Sequence, residues 1–139
     1  MPADDETSTE IVDAVSRLYR RLRTERTHEL GDTASFVLGH LAKEGPRTLG
    51  YFSERERVTP PSMNQTMNAL VAAGYVVREE DPSDGRKVLF VATDTGVALA
   101  AENRRRRHAW LNAQLDTLTP AERATVREAA HLLRTLADS

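Results

Sequence analysis

Leu70-Val71-Ala72-Ala73-Gly74-Tyr75-Val76-Val77-Arg78-Glu79-Glu80-Asp81-Pro82-Ser83-Asp84-Gly85-Arg86-Lys87-Val88-Leu89-Phe90-Val91-Ala92 is the stretch where the hydrophobic period changes. Up to Gly74 the apolar residues recur with the 3.6-residue period of helices. Tyr75 to Glu80 and Arg86 to Ala92 are instead rich in Val, Tyr, Leu and Phe and alternate with a period of two. Asp81-Pro82-Ser83-Asp84-Gly85 separates the two runs. The pattern predicts a β-hairpin with a five-residue, Gly-containing loop.

Outward from the hairpin the signals are helical. Towards the N-terminus, Thr59 caps a helix with Pro60 at its first position, and Gly74 ends it. Thr48 caps a shorter helix reaching about Arg57. Ala34 to Lys43 forms another, closed by Gly45-Pro46. Ile11, Val15, Leu18 and Leu22 mark an amphipathic helix from about Thr9 to Leu30, with Gly31 as its stop. Towards the C-terminus, helix resumes near Thr93 and continues to Leu118. Thr119-Pro120-Ala121-Glu122 is a capping box that opens a last helix to about Ala137. The order is four helices, a hairpin and two helices: a mainly α (α+β) fold, without internal repeats or low-complexity linkers.

The segment Thr93–Leu118 covers about 26 residues, roughly 39 Å of helix, longer than a compact core of this size needs. It and the first and last helices carry their own apolar stripes. Pairing them with the same helices of a second chain buries all three, so a homodimer is expected; a single long-helix bundle is the alternative.

The 139 residues fit one domain. With 40% hydrophobic and 29% charged residues the chain has the composition of a folded soluble protein. Absence of cysteine excludes disulfides, thiolate zinc sites and thiol catalysis. Met1 to Glu10 is acidic and polar, unlike a secretory leader, and the longest uncharged stretch, Val58 to Val77, contains Pro60, Pro61, Asn64, Gln65 and Asn68. A cytoplasmic location without a membrane partner is expected.

On a wheel at 100° per residue, Met63, Met67 and Leu70 share the inner face of the fourth helix. Pro61, Gln65, Asn68 and Ala72 lie opposite, flanked by Ser62 and Asn64. Exposed faces usually carry Lys and Glu; this one carries amides, a hydroxyl and small residues. Asn and Gln can bond adenine N6 and N7, Ser several bases, and Ala or Pro a thymine methyl. An uncharged face docked on a protein partner fits the same composition. The short helix before it completes a helix-turn-helix, whose second helix enters the major groove. Arg78, Arg86 and Lys87 flank the hairpin tip, where a wing can meet phosphates or a narrow minor groove. Asp84 is spaced to orient Arg86 through a bidentate pair.

Asp81-Pro82-Ser83-Asp84-Gly85-Arg86-Lys87 followed by Thr93-Asp94-Thr95-Gly96 resembles the wing of the MarR (multiple antibiotic resistance regulator) family. Leu70 to Arg78 is similar to that family's passage from recognition helix to wing, and the likeness in length and helix order covers nearly the whole chain. The resemblance implies a single domain over 1–139. Its dimerisation helices would lie at about 9–33 and 94–139, around a winged helix-turn-helix lobe at about 34–93. It implies a dimeric repressor that reads a palindromic operator in double-stranded DNA and is released by a small aromatic or phenolic ligand. Pro61, Ser62, Asn64, Gln65, Thr66 and Asn68 then fall on the recognition helix, and Asp84, Arg86 and Lys87 on the wing. Many members carry arginine where Gln65 stands, so a different base preference is implied.

Candidate effector residues are fewer. Arg104 and His108 fall within the apolar stripe Val97, Ala100, Leu111, Leu115 and Leu118, close in sequence to Trp110. They suit an anion or aromatic-acid pocket, an intersubunit salt bridge or simple snorkelling. By the family resemblance, Arg17 and Arg20 can hold a ligand carboxylate, with Tyr19 and Phe36 stacking; solvated helix charges are the plainer alternative. His28, His40, His108 and His131 form no metal-ligand spacing, and neither a phosphate-binding glycine loop nor a nucleophile elbow is present, so no cofactor and no enzymatic activity are expected.

The net charge is −2. Between Arg47 and Phe90, Arg47, Arg55, Arg57, Arg78, Arg86 and Lys87 balance Glu54, Glu56, Glu79, Glu80, Asp81 and Asp84. Binding of DNA by this neutral lobe must rest on the placement of charges and on base contacts. The contrasting reading, a winged protein-interaction module, differs in its weak response to salt.

Overall fold

The computed structural model describes residues 1–27 and 30–139. Its elements are α1 (Asp5–Arg23), α2 (Asp32–Glu44), α3 (Leu49–Arg55), α4 (Pro60–Ala72), β1 (Val76–Asp81), β2 (Asp84–Ala92), α5 (Asp94–Leu115) and α6 (Pro120–Ala137). Among the described residues the fold is mainly helical with one antiparallel hairpin, as the periodicities predict. The chain divides into two compact units, Arg26–Arg105 and Met1–Glu25 with Arg106–Ser139.

The first unit is built around a closed apolar core. Ala34, Val37, Leu38 and Leu41 enter it from α2, Phe52 from α3, and Met63, Met67 and Leu70 from α4; Val76 and Phe90 close it from the hairpin. Local chemistry sets the helix ends. The Thr48 hydroxyl accepts from Tyr51 N, and the Thr59 hydroxyl accepts from Ser62 N, so both expected caps are present. Gly45 and Gly74 stop α2 and α4 with φ of 92° and 81°, a region that a side chain disfavours. Gly96 is required for another reason: a Cβ there would lie 2.2 Å from the Tyr75 carbonyl oxygen. Only glycine lets α5 approach the start of the hairpin that closely.

β1 and β2 pair in the register Val76↔Ala92, Arg78↔Phe90 and Glu80↔Val88, with an irregularity after Glu80. Arg47 adds an isolated bridge to Phe90, donating to its carbonyl and accepting from its N–H. The loop is shorter than the five residues expected. Asp81 and Asp84 already pair, leaving Pro82 and Ser83 at the tip. The Asp81 carboxylate accepts from both Ser83 N (2.9 Å) and Ser83 Oγ (2.7 Å), which folds the turn locally. Those bonds stabilise the carboxylate and hold its pKa below the ordinary value.

α1 differs most from the sequence-based expectation. It begins at Asp5 rather than Thr9, because the Asp4 carboxylate caps Thr7 N at 2.7 Å. It ends at Arg23 rather than Leu30: Thr24 turns back on the Arg21 carbonyl through both its N–H and its hydroxyl. His28 and Glu29, which the longer helix would have included, lie outside the described residues. Gly31 is the N-cap residue of α2 rather than the stop of α1.

α5 starts at Asp94, with Gly96 N donating to the Thr93 hydroxyl, and ends at Leu115 rather than Leu118. The following N–H groups of Thr117 and Leu118 bond three residues back, to Gln114 and Leu115. In the second unit the expected capping box forms in full, Thr119 N donating to Glu122 Oε1 (2.9 Å) and Glu122 N to Thr119 Oγ1 (3.1 Å). The Arg21 guanidinium lies 4.5 Å from the centre of the Trp110 ring. Neither α1 nor α6 contains a buried residue.

Candidate nucleic-acid interface

The turn between α3 and α4 is tight. Arg57 adopts φ 54°, Val58 N donates to the Ser53 carbonyl, and Ser53 Oγ donates to the Val58 carbonyl at 2.5 Å. These bonds close α3 onto the start of α4. Met63, Met67 and Leu70 are wholly buried, which fixes the rotation of α4 about its axis. Pro61, Ser62, Asn64, Gln65 and Asn68 are thereby exposed together, while Thr66 is half-buried at the edge of that face. The side chains on the exposed face are uncharged, and at that face an amide-bearing edge is available to a groove.

The wing lies in the same unit. Asp84 and Arg86 interact, but not as the two-oxygen fork the spacing suggested. One oxygen, Asp84 Oδ1, accepts from both Arg86 N (3.1 Å) and Arg86 Nε (3.2 Å). The ring so formed is local, and it leaves both terminal nitrogens of the guanidinium free of this pair. The Arg86 side chain is 92% exposed, so the bond adds little stability and acts mainly on orientation. Lys87 is exposed beside it. A groove of about 370 Å³ lies between α3, α4 and the wing, lined by Thr48, Leu49 and Gly50, by Asn64, and by Arg78, Lys87 and Val88.

One residue outside the expected recognition set joins this surface. Arg78 Nη2 donates to Asn68 Oδ1, and the same guanidinium sits 5.6 Å from the centre of the Phe90 ring, its cross-strand partner. In β1 Val76 is buried and Val77 exposed, and strand alternation then turns Arg78 to the α4 side, a pairing that needs the register and packing to be seen.

The candidate effector residues are divided between the two units. Arg17, Tyr19, Arg20 and His108 belong to the unit of the terminal helices, whereas Phe36 and Arg104 belong to the lobe. Arg17 and Arg20 are exposed, Arg17 lying 3.8 Å from Asp13 one turn earlier. Tyr19 is half-buried and Phe36 is exposed. Arg104 and His108 are both exposed in the single chain. The face of α5 that turns inward runs through Gly96 and Asn103, with Leu99 and Ala100 half-buried beside it. Of the expected stripe Val97, Ala100, Leu111, Leu115 and Leu118, all but Val97 are half-buried; the two buried positions, Gly96 and Asn103, escape a count of apolar residues. Asn103 Oδ1 accepts from Thr27 N (2.9 Å) and from Thr27 Oγ1 (3.1 Å).

Among the described residues no group of three or more His, Cys, Asp or Glu side chains is placed to hold a metal ion. No described helix is long and apolar enough to cross a membrane.

Comparison with known proteins agrees with this geometry. The family model described as "MarR family" matches residues 28–87, the helix-turn-helix and most of the wing. An HTH-type transcriptional regulator of Mycobacterium bovis, Mb0904, is 37% identical over 139 residues, covering 99% of this chain and 97% of that protein. Among solved structures, the transcriptional regulator PcaV of Streptomyces coelicolor, in complex with its natural ligand, is similar in fold. Its TM-score is 0.72 at 22% identity, over 100% of this chain and 99% of PcaV. NadR in complex with 4-hydroxyphenylacetate gives a TM-score of 0.72 at 20% identity, over 96% and 97% of the two chains. With a helix-turn-helix and wing of this geometry and a relative that similar along its whole length, the chain belongs to the MarR family of transcriptional regulators.

Proposed function

We propose that this transcriptional regulator is a cytoplasmic homodimeric repressor that a small aromatic or phenolic acid releases from a palindromic operator. The observation that carries the reading is the uncharged face of α4, with Pro61, Ser62, Asn64, Gln65 and Asn68 exposed opposite a fully buried methionine and leucine face. Two such helices, one from each chain, would enter successive major grooves about 34 Å apart. Thr66 sits at the rim of the reading face. Arg86, steadied by Asp84, and Lys87 would meet phosphates or the minor groove on each flank.

Dimerisation would run through the terminal helices, at about 9–33 and 94–139 of a single 139-residue domain, leaving 34–93 as the DNA lobe. The exposed apolar side chains of α1 and α6 support this, among them Val12, Val15, Leu18, Leu132 and Leu136. Ligand-bound PcaV and NadR, one of them holding a phenolic acid, support the effector class. Arg17, Tyr19, Arg20, Phe36, Arg104 and His108 are the side chains here with the chemistry to hold such a molecule.

The test is binding to duplexes selected from a random pool, measured over a series of salt concentrations. Affinity should fall steeply with salt through counterion release. Arg86→Ala should weaken binding to all sequences, whereas Gln65→Ala should change which bases are preferred. Base preference untouched by Gln65→Ala, or affinity indifferent to salt, would sink the reading face and favour a protein-docking wing. Addition of 4-hydroxyphenylacetate as the probe should lower operator affinity.

A further inference from the structure

Asn68 lies on the reading face of α4, yet its amide is not disposed to read adenine. An asparagine reads adenine through two bonds at once, its oxygen accepting from N6 and its amino group donating to N7. Both halves of the amide must then face one base edge. Here the oxygen is turned to β1, where Arg78 Nη2 donates to it. The assignment of oxygen and nitrogen follows from chemistry: a guanidinium has donors only, so the half of the amide that faces it must be the acceptor. The amino group is left on the other side of an exposed side chain.

Arg78 is itself held in place. It pairs across the hairpin with Phe90, which is 4% exposed, and its guanidinium lies over that ring at 5.6 Å. The ring contact and the bond to α4 together favour one placement of this exposed guanidinium. The wing strand therefore orients a side chain on the recognition helix.

We propose that Arg78 is a positioning residue for base recognition, holding Asn68 so that it offers the groove a hydrogen-bond donor alone. The base edge that matches a lone donor best is guanine, with adjacent N7 and O6 acceptors; the worst is cytosine, which offers only a donor. Adenine loses the bond to N6 and with it the advantage it has over guanine at a free asparagine. The inference rests on the proposed reading of DNA by α4 and deepens it.

The experiment compares wild type with Arg78→Met, Arg78→Lys, Asn68→Ala and the double variant Asn68→Ala/Arg78→Met. Each is measured on the selected operator with all four base pairs at every position beneath α4. Arg78→Met keeps an apolar stem over Phe90 and removes the donors. It should move preference from guanine towards adenine at one position per half-site, by about tenfold, the range of one bidentate contact. Arg78→Lys retains a donor and should keep the guanine preference. Asn68→Ala should abolish discrimination at that position, and Arg78→Met should then add no change there. If Arg78→Met weakens all sequences equally and flattens the salt dependence, Arg78 is a phosphate contact and the proposal falls while DNA reading stands. If wild type selects no sequence from the pool, DNA reading falls and the proposal with it.

Discussion

The lobe Arg26–Arg105 has a buried apolar core, whereas α1 and α6 of the other unit bury no residue fully. The lobe encloses side chains from α2, α3, α4 and both strands, with Val37, Phe52, Met63, Met67 and Leu70 fully inaccessible. In the other unit, Ile11, Val12, Val15 and Leu18 of α1 and Val126, Leu132, Leu133 and Leu136 of α6 are all exposed. Both regions show the helical period in sequence, so amphipathicity alone does not say where the apolar face is satisfied. The lobe closes a core within one chain, although Phe36, Val77, Val88 and Val97 stay exposed. α1 and α6 have good caps, at Asp4 and Thr119, but caps and propensity leave an isolated helix marginal in water. Their stability must come from covering the stripes, which in the proposed homodimer is the task of the second chain.

The largest effect that separates the two regions comes from the lobe core. Phe52→Ala should cost about 3–5 kcal/mol, the usual range for an aromatic deleted from a packed interior. Denaturant unfolding should show that loss at every protein concentration. Leu132→Ala on α6 should behave differently. It removes a side chain that is 57% exposed in one chain, and so should cost little there. In a dimer that buries it, about 1.5–3 kcal/mol per chain is lost. The loss should deepen as the protein is diluted, and sedimentation equilibrium should show more monomer. A wild-type unfolding midpoint that ignores concentration, together with a monomer mass, would break the comparison.

Within the lobe, buried polar groups lie near its first and last residues. Asn103 is 6% exposed and takes two hydrogen bonds from Thr27. Arg26, also 6% exposed, is paired with Asp32. Asn103→Ala should cost about 1–3 kcal/mol, because Thr27 N loses its acceptor in a partly buried place. Thermal unfolding of Asn103→Ala should show the loss, and Asn103→Asp, which keeps an acceptor, should recover part of it. A wild-type melting temperature for Asn103→Ala would mean that water replaces the amide without penalty.

The elements easiest to read in the sequence were those whose ends are set by one side chain. Thr48, Thr59 and the Thr119–Glu122 box cap helices as expected, and Gly45 and Gly74 end them. Ends that depend on several weak bonds are not legible in the spacing. α1 stops at Arg23 because Thr24 folds back on Arg21, although apolar spacing alone would carry the helix further. Gly31, expected to end α1, is the N-cap residue of α2, since glycine is found at either helix end. At the site, helix periodicity was enough to expose the α4 face. It was blind to the cross-element pairs, Arg78 with Asn68 and Asn103 with Thr27, which depend on register and tertiary packing. On α5 the apolar spacing finds the half-buried Ala100, Leu111 and Leu115 but not the two buried positions, a glycine needed for clearance and an asparagine needed for bonding.

The smallest expected effect concerns pH and tests whether the lobe's core is as closed at its edge as at its centre. Tyr51 Oη and His40 Nε2 are 3.0 Å apart, with the His40 ring edge-on to Phe52. Burial is the main cause that holds the imidazole pKa below its ordinary 6.5; the Arg55 and Arg47 charges act in the same direction, and Glu44 opposes them. A neutral imidazole accepts the tyrosine proton at Nε2, whereas a protonated one cannot. With the folded value below the unfolded one, the unfolded chain takes up the proton first as pH falls. Stability is therefore fully present above the unfolded value. It declines as pH drops through the ordinary imidazole range and levels off below the folded value. Unfolding measured from pH 7.5 to 5.5 should show a steeper decline in wild type than in His40→Gln, which cannot titrate. Equal slopes would show that water reaches this edge well enough to solvate the imidazolium, and that the closed core ends at Phe52.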